Sequence, residues 1–204
     1  MLNEFKEIFC VNNGFSFIFS LTACGNSTEK SKNQTSNKNE LPAIPKQVFS
    51  SSKINENISK KEIKKSVSKY LDINHALIEN IESLSNKDNL NKNELKKLNS
   101  LTEMNDKNDS NFSNFIQNTN LPNGYKDGVF KTKDYITTAN QYLKKLNTQI
   151  QKVNKNSNSD NLSIKDIDEI NSINEQYKKD VNGKKQKEVE TFLKDKNIKT
   201  KAFN

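Results

Sequence analysis

Few residues in this chain are suited to chemistry. Its thiols are Cys10 and Cys24, and its one imidazole is His75. Cys24 closes the run Leu21-Thr22-Ala23-Cys24, is followed by Gly25-Asn26-Ser27, and is preceded by the apolar stretch Phe15-Ser16-Phe17-Ile18-Phe19-Ser20. Such a stretch enters a bilayer, and small residues such as Thr22 and Ala23 admit the backbone to a peptidase cleft. A thiolate delivered to the membrane surface is a nucleophile suited to accept a diacylglyceryl group. His75 stands beside Asn74 at the edge of an apolar stripe, without a nucleophile or ligand cluster, and reads as a flanking surface residue. Asp166, Asp168 and Glu169 fall in the first turn of an expected helix, where carboxylates favour the macrodipole. Asp106 to Asn111 places oxygen side chains at alternate positions, as a calcium loop does. Its sixth residue is Asn111 rather than Gly, and its twelfth is Gln117 rather than Glu. The sequence contains no G-x-S-x-G, P-loop or H-E-x-x-H pattern. The expectation is no catalytic residue, no metal site and no cofactor.

The N-terminal pattern resembles a bacterial lipoprotein signal peptide with its lipobox, formed by Leu21, Thr22, Ala23 and Cys24. The resemblance implies that residues 1–23 are removed and that acylated Cys24 becomes the first mature residue. Two or three acyl chains, at about 0.8 kcal/mol per buried methylene, anchor stably where one would not. The expected location is the extracytoplasmic face of the cell membrane. One feature departs from the pattern: Lys6 is set against Glu4 and Glu7, and Asn12-Asn13-Gly14 follows. Cys10 would leave with the signal, so the mature chain would hold no internal disulfide.

Hydrophobic residues are 31% of the chain and the mean hydropathy is −0.94. Leu, Ile, Val and Phe together still exceed the roughly 20% below which a charged chain cannot fold, so the composition allows a lean core. Five Gly, three Pro and no Trp argue against an all-β sandwich or barrel. No hydrophobic run reaches 18 residues, which excludes a membrane-spanning helix in the mature chain. The formal net charge is +8, and every basic residue is Lys. Arg is the preferred residue for bidentate contacts to guanine and phosphate and for stacking on bases. Its absence, with no aromatic interleaving, argues against nucleic acid as a partner. Lys60, Lys61, Lys64, Lys65 and Lys69, and again Lys184, Lys185 and Lys187, read as solvated helix faces. The functional reading of the same faces is attraction to phospholipid headgroups or acidic wall polymers.

Gly25 to about Ser52 is rich in Asn, Ser, Lys and Thr, so residues 24–57 are expected to be a disordered tether. Such a tether spans about 30 Å root-mean-square. Beyond it, apolar residues recur at helical spacing four times. The periodicity predicts helices over about 59–85, 92–118, 132–154 and 163–195. Ser59-Lys60-Lys61-Glu62 and Asn91-Lys92-Asn93-Glu94 are starting signals for the first two. The second is expected to weaken near Asn105 to Asn111, and Gly183 to loosen the fourth. The expected fold over 58–204 is all-α, a four-helix antiparallel bundle of two hairpins.

Within the second helix lies Asn108-Asp109-Ser110-Asn111-Phe112. Together with the lipobox, the tether and the length, this resembles the NDxxF-motif lipoproteins of low-GC Gram-positive bacteria. The resemblance implies a location and no activity. On the residues alone, Phe112 is expected to be a core anchor, with Asn108 and Asp109 tying the neighbouring 119–131 loop. The functional alternative is a partner-binding patch. The expected role is non-enzymatic binding or sequestration at the cell envelope. The partners would be the membrane through Cys24 and either an anionic envelope polymer or a protein or peptide ligand. A toxin-immunity role, a wall-polymer-contacting structural role and an enzyme are the alternatives.

Overall fold

The structure is a computed structural model that describes residues 41–85, 87, 90–156 and 164–203. The lipobox and Cys24 lie outside these residues. The described residues form an all-α fold of five helices: α1 (Lys60–Ser85), α2 (Lys92–Gln117), α3 (Lys126–Asn156), α4 (Ile164–Tyr177) and α5 (Gly183–Asp195).

Local signals start the first two helices. The Glu62 amide donates to Ser59 Oγ at 3.2 Å ahead of α1. At α2, Asn91 Oδ1 accepts from the Asn93 and Glu94 amides, and Glu94 Oε2 accepts from the Asn91 amide in return. This closes a capping box that satisfies otherwise unpaired donors. α2 continues without interruption through Asn105 to Asn111, because Asn105, Asn108 and Asp109 face inward and their side chains bond other elements instead of competing for the α2 backbone.

The helices run antiparallel in sequence order. Tyr70 and Asn74 on α1 meet Asp109 and Asn105 on α2. Asp109 and Asp106 on α2 meet Asn140 and Lys144 on α3. Along α3, Gly128 opposes Phe192, Tyr135 opposes Gln186 and Tyr142 opposes Asn174. α4 and α5 therefore form one interrupted strip running back along α3. The strip occupies the place of the single helix expected over 163–195. It breaks after a turn in which Tyr177 O accepts the Asp180 and Val181 amides, where Asn182 adopts an extended backbone and caps α5 through the Lys185 amide at 3.0 Å. The third helix likewise begins at Lys126 rather than near 132. Gly128 lies inside it, and a Cβ there would fall 2.1 Å from the Phe192 ring. Helix contact outweighs the weak helical propensity of glycine at this position.

Residues 41–57 were expected to belong to the tether. They lie instead as an extended strap on the α1–α2 face. Pro42 O accepts from Asn80 Nδ2 at 2.9 Å. The Asn55 amide donates to Asn118 O, and Glu56 O and the Ile58 amide pair with the backbone of Asn120. Phe49 is the strap's buried anchor, while Leu41, Ile44 and Ile54 stay exposed. The strap is held by the burial of Phe49 and because its backbone groups find partners on the rest of the fold.

The main core joins the strap, α1, α2, the first half of α3, α5 and the C-terminal residues Ile198 and Ala202. The tail is tied back by Asp72, whose Oδ1 accepts from Thr200 Oγ1 and the Lys201 amide, each at 2.7 Å. A smaller core of Ala139, Tyr142, Leu146, Ile170, Tyr177 and Val181 joins the second half of α3 to α4.

Candidate functional site

The sequence motif in α2 sits where α1, α2, α3 and the strap converge. Asn108 is fully buried. Its Oδ1 accepts the Phe49 amide at 3.0 Å, and its Nδ2 donates to Tyr70 O at 3.2 Å. Asn111 Nδ2 donates to Phe49 O at 2.8 Å. The two asparagines thus hold both backbone groups of one strap residue. Phe112 fills the space beneath. It stacks on Tyr70 with centroids 4.1 Å apart and meets Phe49 edge-on at 5.1 Å.

Asp109 accepts from Tyr70 Oη at 2.7 Å on Oδ1 and from Asn140 Nδ2 at 2.9 Å on Oδ2. Asn140 Oδ1 accepts from Asn74 Nδ2 at 3.1 Å, and Asn74 Nδ2 also donates to Asn105 Oδ1 at 3.0 Å. A carboxylate can only accept, so Asp109 sets the orientation of Asn140, and Asn140 in turn sets that of Asn74. Burial pushes the Asp109 carboxyl above its ordinary range, with the Asp106 charge adding to the shift, while the bonds from Tyr70 and Asn140 oppose it. The Tyr70 hydroxyl is also raised, by burial first and then by Asp109. Both groups are held as hydrogen-bonding partners, in a polar network that fixes the register of three helices.

Phe112 is thus the core anchor that its position on the helix predicts. Asn108 and Asp109 do not tie the 119–131 loop; they bind the strap, α1 and α3. The three motif residues are buried, so they present no surface patch to a partner. The motif works inward because residues 105, 108, 109 and 112 share one face of α2, and that face meets α1.

The remaining candidates are dispersed. His75 lies on α1 with Nδ1 3.9 Å from Glu79 Oε1. Asp166 is in the first turn of α4, on a different element from His75. Asp106 points outward to Lys144 Nζ at 2.6 Å, and a continuous helix turns the alternate residues of 106–111 away from a common centre. Glu82 was not singled out by the sequence. Its carboxyl is pushed up to about 7, by burial first and by Glu79 second.

Phe49, Tyr70, Asn74, Asn105 and Asn140 were also not anticipated as parts of the network. The available signal was an amide on an apolar stripe: Asn74 lies three residues after Leu71 and three before Leu77, and Asn140 lies four after Ile136. Such positions imply a buried, bonded amide. Phe49 carried no periodic signal.

Open grooves lie elsewhere. One groove runs between α3 and α5, with five lysines and three carboxylates in its lining, and a second runs between α3 and α4 beside Lys145, Lys152 and Tyr177. Comparison of the chain with protein-family models, with curated proteins and with solved structures finds no match.

Proposed function

We propose that this chain is a lipid-anchored extracytoplasmic lipoprotein, one of the NDxxF-motif group, whose helical domain is a binding or sequestration module and not an enzyme. The observation that carries the reading is Leu21-Thr22-Ala23-Cys24 placed directly after an apolar stretch and directly before a polar segment. Among the described residues no helix is long and apolar enough to cross a membrane, so in this reading acyl chains on Cys24 make the attachment. The motif residues serve the scaffold, which leaves the lysine-lined outer faces as the surfaces that meet a partner. The chain's net charge of +8 favours an anionic partner at the envelope.

The anchor is tested by expressing the full chain in a low-GC Gram-positive host fed an alkyne-bearing fatty acid. Label should follow the wild-type protein into the membrane fraction, persist in Cys10→Ala and vanish in Cys24→Ala. Unlabelled wild-type protein in the cytosol, with its initiator methionine attached, overturns the proposal.

A further inference from the structure

The α3–α5 seam opens into a groove of about 1020 Å³. Gly128 and Phe192 line it where the two helices touch. Lys126 and Lys131 rise from the first turns of α3, Lys184 and Lys187 from the first turns of α5, and Lys196 from its C-cap. Three carboxylates share the lining: Asp127, Glu188 and Asp195. Asp127 is engaged by Lys131 at 3.0 Å, and Lys196 Nζ lies over the Tyr125 ring, 5.2 Å from its centroid. Among the described residues, Lys126, Lys184 and Lys187 are exposed and have no carboxylate within ion-pair distance. The first turn of α5 holds no acidic residue, so the lysines there add to the positive end of the helix, and the nearest carboxylate of the lining on α5 is Glu188 in the following turn.

Spacing selects the ligand. Lys184 and Lys196 are separated by twelve residues, about 18 Å along the helix axis. A single phosphate meets only one end of that span, whereas a chain with charges every few ångströms meets all of it. Lysine is a point charge that grips phosphate without the planar bidentate geometry of Arg. The surface is concave, which suits an extended chain better than the flat plane of bilayer headgroups.

We propose that this groove binds a linear polyanion, a chain of phosphates or phosphodiesters without bases, laid between α3 and α5. The inference rests on the reading of the domain as an envelope binding module and names the ligand class of that module.

The test is anisotropy of fluorescently labelled long-chain polyphosphate titrated with the full chain at several salt concentrations. Polyphosphate should bind, and inorganic phosphate at equal total phosphate should not displace it. Lys184→Glu/Lys187→Glu should weaken binding at least tenfold. Lys61→Glu/Lys65→Glu on the exposed face of α1, an equal change in charge, should leave it within twofold. Lys184→Gln/Lys187→Gln should lower the slope of log K against log salt by about two. Absence of binding overturns the proposal, as does equal loss in the α1 control. Two further results overturn it: phosphatidylglycerol vesicles bound through Lys184 and Lys187 while polyphosphate is not, or single-stranded DNA bound more tightly than polyphosphate of matched charge. The variant side chains are solvent-exposed, so unchanged thermal melts confirm that each variant folds. The assay needs no acyl group, so its failure with Cys24 labelled rejects the groove alone, and its success with Cys24 unlabelled rejects the anchor alone.

Discussion

The rings of Tyr70 and Phe112 lie face to face, with centroids 4.1 Å apart and planes 4° from parallel. Both side chains are fully buried. Tyr70 also serves the polar network beside it: its hydroxyl donates to Asp109, and its carbonyl accepts from Asn108. The stack therefore joins the aromatic core to the amide network and fixes α1 against α2.

Removing Phe112 should cost more than any other single truncation in the motif. Phe112→Ala forfeits its contacts with Tyr70, Phe49 and Phe115 and leaves a cavity, for a loss of about 3–5 kcal/mol. Thermal or urea unfolding of the full chain measures it. A melt that barely moves, with some binding property lost instead, would show that Phe112 is not an anchor.

Asn108 should act on the strap first. Asn108→Ala leaves the Phe49 amide without its partner, at about 1–3 kcal/mol if that amide stays buried, while the Tyr70 carbonyl loses a second bond and keeps its place in the α1 backbone ladder. The strap can relieve part of that cost by lifting into water. Amide exchange at Phe49 and protease cleavage within 41–58 should accelerate under conditions where the α1–α2 core remains protected. Exchange that rises uniformly across the domain would argue against separate release of the strap.

Glu82 should give stability a pH dependence opposite to that of a paired carboxylate. Its folded pKa, about 7, lies above the ordinary carboxyl value, so between roughly pH 4 and 7 the folded state keeps a proton that the unfolded chain has released. The stabilisation is fully present below the unfolded pKa and is lost as pH rises through the folded one. The raised Asp109 carboxyl has the same sign. Glu82→Gln should flatten that slope and gain about 1–2 kcal/mol at pH 8, less than the full shift because Glu82 keeps part of its surface in water. Urea midpoints at pH 5 and pH 8 decide it, and an unchanged slope in the variant excludes Glu82 as the source.

Gly128 should tolerate no side chain while Phe192 is present. A Cβ there lies 2.1 Å from the ring, so Gly128→Ala should destabilise by about 1–3 kcal/mol through overpacking, despite the better helix propensity of Ala. Paired with Phe192→Ala, the two costs should fall well short of additive in a double-mutant cycle. Additive costs would mean that the contact is not what requires glycine.

The helices themselves were legible because their information is local. Apolar residues at spacings of three and four built α1 and α2, and the capping residues Ser59 and Asn91 stood in the chain just ahead of them. The break between α4 and α5 was harder to read. Ile170, Ile173, Tyr177 and Val181 keep a helical period up to the turn, and only the turn at 177–181 and the Asn182 cap divide them. The motif was legible as a pattern and illegible as a set of contacts. Nothing near Asn108 announces that its partners are Phe49 and Tyr70, roughly 60 and 40 residues away.

Composition and periodicity alone determined that this chain is helical, lean in its core and strongly cationic, since helical spacing and charge need no knowledge of what lies opposite. Which buried amide meets which carbonyl, that residues 41–57 should be pinned as a strap, and that lysines from α3 and α5 should share one groove were decided by the tertiary structure. Those relations join residues far apart in the chain, and a polar group's cost or benefit is set by the partner that packing brings to it.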